Sequence, residues 1–142
     1  MTMTVMSRAE ANYLVVMADG EFDLDEAMRT FREVVVAVIA NRSEKVLFDG
    51  RRISGDPESI ERFFYGEFAA RTVRQALEEN ALAIPPQFAY ILCPPVLDPE
   101  RLGETAASNR GMNVKAFDEL ADGISWLGLP PGDVVAFPDF IT

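Results

Sequence analysis

The order in which short apolar runs alternate with amphipathic segments restricts this chain more than any single residue does. Thr2 to Met6 alternates, the polar stretch SRAEAN follows, and Tyr13 to Ala18 is apolar, so the chain opens as two short strands joined by a hairpin-like turn. After Gly20, the residues Leu24, Ala27, Met28, Phe31, Val34, Val35, Val38 and Ile39 recur at three- and four-residue steps, the pattern of a core-facing helix. Asp23, three residues before Glu26, supplies a capping-box-like start. Lys45 to Asp49 is again short and apolar. Asp56 and Pro57 then offer an N-cap and a first helical position for a helix reaching about Asn80. Gln87 to Cys93 forms a strand stopped by Pro94 and Pro95, and Asp98-Pro99 repeats the cap signal for a helix stopped at Gly111. Met112 to Phe117 is the last strand, and Asp118 caps a helix over ELADGISWLG that ends at Gly128. The order β-β-α-β-α-β-α-β-α predicts an α/β fold: a mixed, mostly parallel sheet of roughly four to five strands covered by about four helices.

A chain of 142 residues can bury a core in one domain without disulfides or metal, and residues 1–129 are assigned to it. The remainder, 130–142, carries Val134, Val135, Phe137, Phe140 and Ile141 between prolines, which predicts docking on the body or on a partner chain. A formal charge of −10 opposes nucleic-acid binding and limits membrane contact to the peripheral kind. The start, MTMTVMSRAE, lacks a basic region followed by an apolar core, which predicts a soluble, cytoplasmic protein. Cys93 is the single cysteine, so it has no intramolecular disulfide partner; its place at the end of an apolar run predicts a buried small hydrophobe.

The absence of histidine removes Ser-His-Asp and Cys-His catalysis and the usual zinc sets. No nucleophile, base and oxyanion stabiliser come together, so no catalytic residue, metal ligand or cofactor is assigned. Asp49 has three readings. As a Walker B aspartate it needs a GxxxxGK[ST] loop, which the sequence lacks. As a receiver-type phosphoacceptor it needs an acidic pair near Asp19 and a lysine at the end of the last strand, whereas Lys115 falls mid-strand. As a turn residue it accepts backbone N–H groups just downstream. Arg51 and Arg52 can grip an anionic ligand bidentately or pair with neighbouring acids. In the following helix Ile60, Phe64 and Phe68 share one line, Phe63, Ala70, Val73 and Leu77 widen the stripe, and Tyr65 falls outside both. So many aromatics exceed one core stripe and leave two readings open: plain core packing, or a second surface that is a pocket wall, a dimer seam or a membrane-facing lip. Gly66 within this helix predicts a close backbone approach or a hinge, since it costs about 1 kcal/mol against alanine.

The element order, VLFDGRRISG in the middle, VKAFDELADGISWLG near the end, the pair Gly20-Glu21, the strand end Asp49-Gly50-Arg51 and the helix end Trp126-Leu127 together resemble the SpoIIAA-like branch of the STAS superfamily. That is the fold of anti-sigma-factor antagonists, and the resemblance spans about Met1 to Leu129. In such antagonists a serine within Asp-Ser-Ser-Gly is phosphorylated by a partner kinase. Here the region reads ISGDPESIERF: Ser54 and Ser59 flank Asp56 as candidate phosphorylation sites, the serine pair is absent, and Pro57 stands where a hydroxyl is expected. Stand-alone members also resemble lipid-binding folds, which implies a small or lipid-like ligand and membrane association. The expectation is a non-enzymatic module binding a small apolar or anionic, lipid-like ligand through Asp49, Arg51, Arg52, Phe63, Phe64 and Tyr65. The alternatives are a protein-interaction switch of the antagonist kind and a ligand-free homodimer.

Overall fold

The computed structural model describes residues 3–130. Five strands, β1 (Thr4–Ala9), β2 (Tyr13–Glu21), β3 (Lys45–Ser54), β4 (Gln87–Ile91) and β5 (Asn113–Phe117), form one sheet in the order β1-β2-β3-β4-β5. β1 runs antiparallel to β2 and the other pairs are parallel. The intervening helices are α1 (Leu24–Asn41), α2 (Ser59–Glu79) and α3 (Leu102–Ser108), with α4 (Leu120–Leu127) last. Each parallel strand is added on the same side of its predecessor, so crossovers of one hand place α1, α2 and α3 on one face. There Phe31, Val34, Ala69, Val73 and Ala107 meet Leu14, Val46, Phe48, Phe88 and Tyr90. The terminal helix α4 has no crossover to complete, and its Ile124 and Leu127 cover Val15, Leu47, Ala89 and Ile91 on the other face.

The expected mixed, mostly parallel α/β sheet is present, with corrections at several boundaries. β1 begins at Thr4 and runs on through Ser7–Ala9, because an edge strand can point polar side chains to solvent on much of its length. β3 continues five residues beyond Asp49, with one extra residue inserted opposite the Met17–Asp19 step of β2. α2 starts at Ser59 rather than Pro57. Its N-cap is Glu58, whose N–H donates to the Glu61 carboxylate at 2.9 Å, while Asp56 pairs with Arg62. Asp98 does not cap a helix starting at Pro99. Its two oxygens accept the N–H groups of Glu100 and Leu102 at 3.0 and 2.9 Å, and α3 begins after Arg101. Asp118 likewise yields the α4 N-cap position to Glu119. Cys93 is exposed, because the chain leaves the sheet after Ile91 and turns through Pro94 and Pro95. Asp23 caps α1 as expected, accepting the Glu26 N–H at 3.1 Å. The docking expected of 130–142 falls outside the described residues from 131 onward.

The close approach expected at Gly66 is real. A Cβ there would stand 2.2 Å from the Gly103 carbonyl oxygen, and one on Gly103 would stand 3.0 Å from the Arg62 carbonyl oxygen, so α2 and α3 touch backbone to backbone. Alanine at position 66 improves helix propensity by about 1 kcal/mol, but overpacking costs about 1–3 kcal/mol and the clashing atom is rigid backbone. Gly66→Ala is therefore expected to lower unfolding free energy by up to about 2 kcal/mol in a urea titration. A stabilised variant would show that the two helices do not meet there.

Candidate functional site

Asp49 sits inside β3, 2% exposed. Its Oδ1 accepts the backbone N–H of Arg51 at 3.1 Å and the Nε of the same residue at 2.9 Å, and its Oδ2 accepts Nη2 at 2.7 Å. The turn reading thus captures the backbone bond, while the inserted residue of β3 lets the guanidinium fold back as a fork on the buried carboxylate. That hydrogen-bonded pairing holds the Arg51 pKa above its ordinary value. Arg52, beside it, makes among the described residues only a 3.9 Å contact with the half-exposed Asp19 carboxylate. These charges lie on the α4 side of the sheet, the side of Leu47 and Met17.

The aromatics lie on the opposite side, on α2. Its buried face consists of Gly66, Ala69, Ala70 and Val73 rather than the Ile60–Phe64–Phe68 line. Ile60 and Phe64 point outward, 55% and 45% exposed. The Phe63 ring is half-buried, edge-on to Phe64 at 5.9 Å and covered by the Arg110 guanidinium at 5.2 Å. Tyr65 alone of the three candidates turns inward, where its hydroxyl meets that of Tyr90 at 2.7 Å. The sheet therefore separates Asp49, Arg51 and Arg52 from Phe63, Phe64 and Tyr65, and no single ligand contacts both sets. Ser54 and Ser59 are both exposed, at the two ends of the β3–α2 loop.

Between α2, α3 and the sheet lies an apolar cavity of about 130 Å³, lined by Phe48, Tyr65, Ala69, Tyr90, Leu97 and Ala107 among others. Burial pushes the pKa of both tyrosine hydroxyls well above the ordinary value, so the pair is neutral. Arg62, which sequence reasoning passed over, joins the start of α2 to the β4–α3 loop. It donates to the carbonyls of Pro57, Pro95 and Val96 at 3.0, 2.8 and 2.8 Å and to Asp56 at 3.3 Å. No periodicity marks it, because two of its partners, the Pro95 and Val96 carbonyls, lie more than thirty positions away. Tyr90 was hidden inside an apolar strand run.

No protein-family model and no curated protein matches this chain. Among solved structures it is similar to the crystal structure of an anti-sigma factor antagonist from Mycobacterium paratuberculosis. The two share 12% identity and a TM-score of 0.55 over 89% of this chain and 95% of the other.

Two outcomes test this geometry. Arg51→Ala leaves a buried carboxylate without its fork and is expected to cost about 2 kcal/mol in chemical denaturation. Arg52→Ala loses only a long, solvent-exposed contact and should stay within about 0.5 kcal/mol. Equal costs would contradict the internal pairing. The tyrosines give a pH signature: folding favours their protonated forms, so stability is intact below about pH 10 and declines above it as unfolded tyrosines ionise. Thermal melts across that range should show a shallower decline for Tyr65→Phe/Tyr90→Phe, and an unchanged slope would contradict the burial of these hydroxyls.

With five strands in one mostly parallel sheet, three helices on one face and one on the other among the described residues, the chain has the SpoIIAA-like STAS fold of that antagonist.

Proposed function

We propose that this chain is a non-catalytic protein-interaction module, with its docking surface on the outer face of the first half of α2 and the adjoining β3–α2 loop. The observation that carries the reading is the exposed pair Ile60 and Phe64, one helical turn apart, next to the exposed Ser59 and on the same loop-helix unit as the exposed Ser54, in an antagonist-type fold. Asp56 and Glu58, both exposed, border this patch, and the whole chain carries a charge of −10. The complementary partner is a protein with an apolar pocket rimmed by lysine or arginine. Ser59 is the first residue of α2, where helix N–H groups favour an added phosphoryl group while Asp56 and Glu58 oppose it. Modification there adds about two negative charges to the patch and so switches the affinity for a basic rim.

A lipid-like ligand is the second reading, supported by the apolar cavity. At about 130 Å³ the cavity is below the roughly 300–1,000 Å³ of drug-sized pockets, too small for an acyl chain, so the interaction reading leads.

Affinity purification of the tagged full chain from its own cells, compared with Ile60→Asp/Phe64→Asp by quantitative mass spectrometry, tests the proposal. A partner enriched at least about tenfold over the variant is expected, a difference of about 1.4 kcal/mol. Identical profiles for the two proteins would remove the docking surface. Light scattering on both identifies the case in which the partner is a second copy of the chain.

A further inference from the structure

The cavity follows from the same small residues that bring the helices together. Gly66 and Ala69 on α2 and Gly103 and Ala107 on α3 let the backbones meet, but they supply too little side-chain volume to fill the space above Phe48 and Tyr90. A volume of about 130 Å³ is close to the roughly 150 Å³ of an engineered apolar cavity that takes up benzene. A single six-membered ring is therefore the size it accommodates.

Its polar groups are few and their state is defined. Four charged residues line it, and each is engaged by the protein itself. Arg62 is held by three carbonyls and Asp56. The two oxygens of Asp98 accept backbone N–H groups. Arg101 donates to the Ala116 carbonyl and to Glu104, and Glu104 accepts the Ala116 N–H at 2.8 Å. These pairings leave little call for an ionic ligand. The Tyr65 and Tyr90 hydroxyls bond to each other among the described residues. One proton serves that bond, and the second O–H remains able to donate to an oxygen placed in the cavity.

We propose that this cavity is a binding site for a small neutral molecule, a single six-membered ring bearing one hydrogen-bonding oxygen, whose ring lies against Phe48, Ala69 and Ala107 and whose oxygen joins the Tyr65–Tyr90 pair. The site is independent of the docking surface on α2, because Ile60 and Phe64 face away from it.

The test uses the ¹⁵N-labelled full chain titrated separately with phenol, toluene and benzoate. Phenol and toluene are expected to shift the amides of Tyr65, Ala69, Tyr90 and Ala107, with phenol the tighter and benzoate without effect there. In Tyr65→Phe/Tyr90→Phe the phenol affinity should fall about tenfold, the equivalent of one good hydrogen bond, while toluene affinity changes less than about twofold. The absence of shifts at lining residues with both phenol and toluene would overturn the site. Wild-type phenol affinity in the double variant would overturn the role of the hydroxyls. Should that variant fail to fold, the ranking on the unmodified chain decides: benzoate binding as tightly as phenol overturns selection for a neutral ligand.

Discussion

Contact between the backbones of α2 and α3 at Gly66 and Gly103 orients everything around it. With α3 pressed against this side of α2, the rotation of α2 about its own axis is set. Gly66, Ala69, Ala70 and Val73 turn inward, Tyr65 reaches Tyr90, and Ile60 and Phe64 are left on the outer surface. A bulkier residue at either glycine would separate the helices and rotate the aromatics. The inner cavity and the outer apolar patch thus share one cause, a helix pair brought together by residues with almost no side chain.

Arginine is the chief internal fastener of this acidic chain. Arg51 neutralises a carboxylate buried in β3, Arg62 draws together the loops at the start of α2 and the end of β4, and Arg101 reaches from α3 to β5. The planar guanidinium suits this task, since it offers several donors in a fixed fork to carbonyls that turns leave unpaired. With these arginines engaged by partners within the fold, much of the acidic surplus is left unpaired by them, and the exposed Asp56 and Glu58 border the exposed patch on α2.

The mixed, mostly parallel sheet and the succession of strands and helices along the chain were legible in the sequence, because strand runs at Tyr13, Val46 and Phe88 and the three- and four-residue spacing in α1 record which faces are buried. Gly66 also announced its role, since a glycine that costs helix stability needs a steric reason. What could not be read depended on long-range partners. The local pair Asp49 and Arg51 was different: a turn role and pairing with a neighbouring acid were both among its readings, and the extra residue of β3 lets the two side chains meet. The Ile60–Phe64–Phe68 line has the spacing of a core stripe, yet Tyr65 and the small residues face the core, because α3 claims the inner side of α2. Cap positions were misplaced where aspartate had other work: Asp56 holds Arg62, and Asp98 ties the loop before α3.

The same Arg101 and Glu104 have an effect at the border of the sheet. Ala116 lies in β5, the outermost strand on that side, and its N–H and carbonyl are occupied by Glu104 and Arg101. Those are groups that an incoming strand would need in order to extend the ladder. At Ala116 the β5 border is thereby capped by the chain's own side chains, which opposes strand addition at that point, whether in productive assembly or in aggregation.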